Sequence, residues 1–212
     1  TSSIYANFAK PQENRRSIIS ESLLKAHSDH CKEYDMKAAL YPNFQKPNAL
    51  VCARKVCDVL ESAGIEVSVS ELFRNDFSDK PFVHFEDISI SAHTADFVLA
   101  IGGDGTILRC AKFLMGTDTK LLGINTGTLG FMAGLEADQL DKLKLLAEEK
   151  YEISERMTLD IAYYGEDCDI VRSALNEVSA RSSSFSICDF EVHSYDYLVG
   201  KYRADGVLFS TP

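Results

Sequence analysis

The spacing of apolar residues changes character near residue 150. Before that point, short apolar runs alternate with stretches in which apolar residues recur every three or four positions. Lys37-Ala38-Ala39-Leu40-Tyr41 reads as a strand that stops at Pro42. After Pro47, the residues Leu50, Ala53, Val56/Cys57 and Leu60 share one helical face, and Gly64 supplies a stop. Ile65-Glu66-Val67-Ser68-Val69 alternates like a strand, and the irregular stretch from 75 to 90, with Pro81 inside it, reads as a variable loop. Phe97-Val98-Leu99-Ala100-Ile101 is a continuous apolar run, the pattern of a parallel strand buried on both faces. A helix follows with Ile107, Leu108, Ala111 and Leu114 facing inward, and Leu121-Leu122-Gly123-Ile124 gives the next strand. After Asp138, Leu140, Leu143, Leu146 and Ala147 mark one more helix. Strands and helices in this alternation predict an α/β N-terminal domain with a parallel sheet.

Beyond Tyr151 the texture is all-β. Positions 157–164 alternate, Gly165-Glu166-Asp167 turns, and 170–178 and 185–193 are again strand-like. Tyr195-Asp196-Tyr197 turns between 185–193 and a short strand over 198–203, and Val207-Leu208-Phe209 is a last strand. Residues 1–35 are polar, with helical spacing only at Ile18, Ile19, Leu23 and Leu24. The expected organisation is therefore an appended polar segment (1–35), an α/β domain (36–150) and a β-rich domain (151–212). Removal of residues 1–35 is expected to leave folding intact.

Composition narrows the classes. The chain has 212 residues, 45% of them hydrophobic, enough for a substantial core. A net charge of −10 argues against nucleic acid or an anionic membrane as the main partner. No apolar run approaches the ~20 residues needed to span a bilayer. With no export signal visible, a cytoplasmic location with reduced thiols is the expectation for Cys31, Cys52, Cys57, Cys110, Cys168 and Cys188. His27, His30 and Cys31 fit no standard zinc spacing, so no residue is assigned to metal.

The chemistry concentrates at Gly102-Gly103-Asp104-Gly105-Thr106, at the carboxyl end of a buried strand and the start of a helix. Such positions hold ligands in α/β proteins. Glycines let backbone amides approach a phosphate, the helix N-terminus adds partial positive charge, and Thr106 can cap the helix. A carboxylate beside a phosphate is repelled unless it meets a metal ion or a hydroxyl. Both roles belong to phosphoryl transfer, where a carboxylate orients the attacking hydroxyl and takes its proton. The other reading is a tight turn in which Asp104 bonds local amides. Leu122 to Phe131 runs from a strand into a loop with Gly123, Gly127 and Gly130, where Asn125 and Thr126 are donors to a nucleotide or the glycines are merely a connection. Arg109, one turn into the helix, reaches a phosphate or faces solvent. His84, His93 and His193 have no convincing partners.

These segments, together with Asn176-Glu177 and the run from Tyr202 to Pro212 (Arg-Ala-Asp-Gly, a strand, then Ser-Thr-Pro), resemble the NAD kinase family in order and spacing. The resemblance covers 36–212. It implies an ATP-dependent enzyme that phosphorylates NAD on the 2′-hydroxyl of its adenosine ribose, with Mg2+ accompanying ATP. On that resemblance Asp104 is the base. Gly102, Gly103, Gly105, Thr106, Arg109, Asn125, Gly127 and Phe131 bind nucleotide. Asn176 and Glu177 hold the adenosine moiety of NAD, Ser186 lines the pocket, and Arg203 with Asp205 completes the dinucleotide site. The family also implies a homodimer or homotetramer. A Thr-Gly-Ser-Thr-Ala-Tyr run and further strands normally follow the Ser-Thr-Pro segment. The expectation is therefore a C-terminally truncated family member with an incomplete β domain, nearly inactive and prone to associate. Two alternatives stay open: a lipid kinase of the diacylglycerol or sphingosine type, which shares the GGDGT string, and a nucleotide-binding fragment without catalysis.

Overall fold

The computed structural model describes residues 3–9, 34–46, 48–127, 130–164, 169–182, 184 and 186–211. The helical spacing at 18–24, the His27/His30/Cys31 group, Thr128, Leu129, the expected turn at 165–167, Cys168 and Pro212 lie outside them. The chain forms two compact units, residues 16–154, and residues 1–15 together with 155–212.

In chain order, β1 (Ser3–Ala9) precedes β2 (Met36–Pro42), α1 (Ala49–Ser62), β3 (Ile65–Val69), β4 (Val83–Phe85), α2 (Ile88–Thr94), β5 (Phe97–Gly102), α3 (Asp104–Leu114), β6 (Lys120–Asn125), β7 (Leu135–Glu136) and α4 (Lys144–Ala147). Then come β8 (Thr158–Tyr164), β9 (Asp169–Ala174), β10 (Glu177–Arg181), β11 (Cys188–Ser194), β12 (Tyr197–Ala204) and β13 (Gly206–Ser210).

The α/β unit is a six-stranded sheet in the order β4-β3-β2-β5-β6-β7, with every pairing parallel. Alternation along the strands feeds two cores. Leu40, Val67, Leu99, Ile101 and Ile124 pack on Ala53, Val56 and Leu60 of α1 and on Leu140, Leu143 and Leu146. Ala39, Val98 and Ala100 face Ala92 of α2 and Ile107, Cys110 and Leu114 of α3. Both faces being covered explains why β5 carries no polar side chain. Gly64 ends α1 with a φ of +74°, as its position after the apolar stripe predicts. The leucine stripe after Asp138 also holds, split into a 3-10 turn over Leu140–Leu143 and the single turn of α4.

The expected loop over 75–90 is instead structured. It holds the end of a 3-10 helix (Glu71–Phe77), the edge strand β4 and the start of α2. Its residues conceal this. The helix α2, Ile-Ser-Ile-Ser-Ala-His-Thr, has little intrinsic helix propensity. It is held by contacts distant in sequence or outside the apolar pattern. Asp87 caps it, accepting from Ser89 N–H at 2.9 Å. Glu86 accepts from Ser91 Oγ at 2.7 Å and from Lys37 Nζ at 3.1 Å.

The second unit is antiparallel throughout, in three small sheets: β1-β8-β9, β10-β13 and β11-β12. The strand expected over 170–178 is two strands, β9 and β10, broken at Leu175-Asn176. Ser3–Ala9, inside the segment expected to be an appendage, is a full partner of β8, paired from Ser3 with Tyr164 to Ala9 with Thr158. Its Ser-Ile-Tyr-Ala-Asn-Phe-Ala run shows neither clean alternation nor flanking turn signals, so this edge strand was not read from the pattern.

Candidate functional site

The sheet order defines the site. From β2 the chain moves outward to β3 and β4, then returns to the other side of β2 as β5 and continues to β6. The loops after β2 and β5 therefore diverge from adjacent strand ends, the crevice where open α/β sheets bind ligands. Asn43, just past β2, ties these loops together. Its N–H donates to the Ile101 carbonyl at 2.9 Å, and its Nδ2 donates to Thr106 Oγ1 at 3.3 Å.

The Gly102-Gly103-Asp104-Gly105 segment turns from β5 into α3. A Cβ on Gly102 would collide with the Thr106 hydroxyl, so this glycine serves close packing. Around Gly103 and Gly105 the space is open, as a backbone that receives a ligand requires. Thr106 does not cap α3 as expected. The N-cap is Gly103, without a side-chain bond, and Thr106 is buried with its hydroxyl turned to Asn43. The Gly103 carbonyl closes the first turn by accepting from Thr106 N–H at 2.8 Å.

Asp104 opens α3, half-buried. Its Oδ2 accepts from Phe131 N–H at 3.1 Å and its Oδ1 from Met132 N–H at 3.2 Å. The carboxylate thus bonds amides, but of a loop that follows β6 and not of its own turn. Gly130 permits this approach, because a Cβ there would stand 2.8 Å from Asp104 Oδ1. The loop presents the Phe131 ring to solvent, 91% exposed. Two donors expected to face a nucleotide have internal tasks. Asn125 is buried, donates to Glu136 Oε2 at 3.0 Å and accepts from Gly127 N–H at 3.2 Å. Thr126 donates its N–H to the Gly102 carbonyl at 3.1 Å. Its buried Oγ1 has no hydrogen-bond partner among the described residues.

Arg109 is exposed and folds back, Nε donating to the Gly105 carbonyl at 3.3 Å. It borders a cleft of about 420 Å³ with Tyr41, Asn43 and Phe73. Asn43 and Phe73 were not legible as site residues. The only sequence signal for Asn43 was an amide directly after a strand-ending proline.

In the β unit, Asn176 lies in the break between β9 and β10, and Glu177 is the first residue of β10, paired with Ser210. The Asn176 carbonyl accepts from Thr211 N–H at 2.9 Å and Thr211 Oγ1 at 3.2 Å, which leaves both side chains of the Asn-Glu pair exposed. Asp205 sits at the other end of this ladder, beside the Arg181–Gly206 pair. Five residues of strand separate the two ends by roughly 16 Å. Ser182 N–H donates to the Asp205 carbonyl at 3.3 Å, and Ser182 Oγ lies 3.3 Å from Ser186 Oγ. Ser186 and Asp205 therefore group together, apart from Asn176 and Glu177. Arg203 is exposed on β12 with its Nε 3.8 Å from Asp189 Oδ1.

A parallel, doubly covered sheet whose glycine turn delivers a carboxylate at a helix start is an open α/β unit with its crevice at the carboxyl ends of the strands. The family model for the ATP-NAD kinase N-terminal domain matches residues 39–151, and the chain belongs to that family. It is 32% identical over 186 residues to an NAD kinase of Christiangramia forsetii, covering 84% of this chain and 63% of that protein. It is 34% identical over 191 residues to one of Corynebacterium diphtheriae, covering 86% and 60% respectively. The chain thus spans a little over three fifths of the length of these relatives. A crystal structure of yeast NADH kinase complexed with NADH superposes with a TM-score of 0.74 at 18% identity, covering 84% of this chain and 58% of that one. That likeness establishes the fold.

Proposed function

We propose that the protein transfers the γ-phosphoryl group of ATP to the 2′-hydroxyl of the adenosine ribose of NAD, giving NADP and ADP. The observation that carries this reading is Asp104, a fixed carboxylate at a glycine turn in a chain of this family. Asp104 would orient the ribose hydroxyl and take its proton as its oxygen bonds to phosphorus and the bond to the ADP oxygen breaks. A loose transition state needs positioning more than a strong base. Open backbone at Gly103 and Gly105 supports a phosphate contact. In this reading the exposed Asn176 and Glu177 bind the adenosine of NAD, Ser186, Arg203 and Asp205 bind the rest of the dinucleotide, and Phe131 belongs to the nucleotide-binding residues of the α/β unit.

Among the described residues no three His, Cys, Asp or Glu side chains gather around a common point. The Asp104 oxygens are already engaged by amides. These residues suit a magnesium ion that arrives on the ATP phosphates as part of the substrate. A cytoplasmic location and a homodimer or homotetramer complete the proposal. Exposed apolar side chains of the β unit, among them Ile187, Tyr197 and Leu208, support self-association.

The test is a coupled assay with Mg2+, ATP and either NAD, diacylglycerol or sphingosine. NADP should form with NAD, and neither lipid should be phosphorylated. Phosphorylation of a lipid in place of NAD would overturn the reading.

A further inference from the structure

Asp104 is gripped by one end of a short limb of chain, and the other end of that limb is clamped. The limb runs from Gly130 to Glu136 and finishes as β7, a two-residue strand at the edge of the sheet. Near its start, Phe131 and Met132 give their N–H groups to the Asp104 carboxylate. At its end, the backbone holds it sparsely. Gly134 N–H donates to the Gly123 carbonyl at 3.0 Å, and β7 pairs with β6 at Ile124–Leu135 and Asn125–Glu136.

Side chains supply the rest. Asn125, buried at the end of β6, donates its Nδ2 to Glu136 Oε2 at 3.0 Å and accepts from Gly127 N–H at 3.2 Å. One amide thus joins the point where the chain leaves β6 to the point where it returns as β7. Gln139 brackets Glu136 from the other direction. Its Oε1 accepts from Glu136 N–H at 3.3 Å, and its own N–H donates to the Glu136 carbonyl at 3.0 Å. Between the two ends the limb lies tight on the sheet. A Cβ on Gly134 would stand 2.9 Å from Leu122 Cδ1, and one on Gly123 would stand 3.1 Å from Ala133 Cα. A limb packed this closely carries a displacement from one end to the other.

We infer that Glu136 is a positioning residue for Asp104, acting through the buried Asn125 amide and the limb whose Phe131 and Met132 N–H groups orient the carboxylate. Its meaning for catalysis rests on the phosphotransfer reading above. A buried amide donor needs an acceptor, and the exposed Glu136 supplies a charged one, which strengthens the bond. Removing that acceptor loosens β7 and, with it, the two N–H groups on Asp104. A carboxylate that must meet a ribose hydroxyl along a fixed line tolerates little movement.

Hydrogen exchange reads the limb without reference to turnover. In Glu136→Ala, the amide protons of Phe131 and Met132 should exchange at least about fivefold faster than in the parent, while those of β5 keep their rate. Glu136→Gln, whose amide oxygen can also accept from Asn125, should restore the parent rates. In NADP formation, Glu136→Ala should lower kcat at least about fivefold and hold the KM for ATP within about twofold, and Glu136→Gln should recover most of the loss. Unchanged exchange at Phe131 and Met132, an equal rise throughout β5, or a Glu136→Gln protein as perturbed as Glu136→Ala would overturn the assignment. So would a kcat indifferent to a selective rise in exchange. A selective rise, rescued by Glu136→Gln, in a protein that phosphorylates a lipid in place of NAD would keep the positioning of Asp104 and remove NAD as the acceptor.

Discussion

The α/β unit and the β unit hold their candidate residues by different means. In the first, a single sheet is covered on both faces, and Leu99, Ile101 and Ile124 have no exposure at all. Asp104 is fixed there by two amides from a loop 27 and 28 residues away. In the second, three small sheets carry largely exposed side chains, with Tyr195, Tyr197 and Ile187 open to solvent. Asn176 and Glu177 are placed by backbone pairing with Thr211 and Ser210. A reacting group must be held to a fraction of an ångström, whereas a recognition group can adjust to its ligand. On the proposed phosphotransfer reading, the α/β unit would carry the chemistry and the β unit the recognition.

The sharpest way to break this division is at Asp104. Asp104→Asn should lower turnover by roughly 10²–10⁴-fold while NAD affinity changes little, because the amide keeps the size and loses the proton acceptor. Turnover above about a tenth of the parent would remove the catalytic role. A comparable effect on folding is expected from Leu99→Ala, which opens a cavity between two covered faces and should cost about 2–5 kcal/mol in urea denaturation. Leu208→Ala on β13, 55% exposed, should cost less than about 1 kcal/mol. Equal losses would mean that the β unit is packed as tightly as the α/β unit.

How far the sequence was legible follows the same division. The strands β2, β5 and β6 were readable because burial on both faces leaves a short apolar run, and β3 was readable by its alternation. The helix α2 was not, because it presents only Ile88 and Ala92 to the core and is otherwise tied down by Asp87 and Glu86. At the site, the glycine turn and Asp104 were readable as a motif. That Asn125 is turned inward to Glu136 was not, since this depends on β7, a two-residue strand with almost no local signal. Asn43 escaped for the same reason. Its meaning comes from the return of the chain to β5, which places two loops side by side.

Smaller effects should separate recognition from chemistry. Asn176→Ala and Glu177→Ala each remove an exposed polar group and leave the ladder intact. Each should weaken NAD by roughly 1–3 kcal/mol, with little change in the KM for ATP. Titration calorimetry with NAD and initial rates at varied ATP would measure the two. A change confined to ATP would reverse the assignment of substrate to this pair.

The least dramatic contrast is in the thiols, and it tests the packing directly. Burial pushes the Cys57 thiol up to about 12, with Lys80 pulling weakly the other way, and burial alone pushes Cys110 up to about 12. Burial raises Cys52 as well. All three lie in the α/β unit, whereas Cys188 on β11 is only half-buried. At pH 8 iodoacetamide should modify Cys188 well before Cys52, Cys57 or Cys110, read by peptide mass. The same shifts predict the alkaline response. A thiol raised in the folded state stays protonated while its unfolded counterpart, near 9.0, ionises. Its contribution to stability is thus constant below pH 9 and is lost between pH 9 and about 12. One unit above the unfolded value, the loss is about 1 kcal/mol per thiol. Urea midpoints should therefore hold to pH 9 and fall beyond it, and Cys57→Ala should make that fall shallower. Modification of Cys57 as fast as Cys188, or an alkaline slope indifferent to Cys57→Ala, would show that the α/β core opens as readily as the β unit.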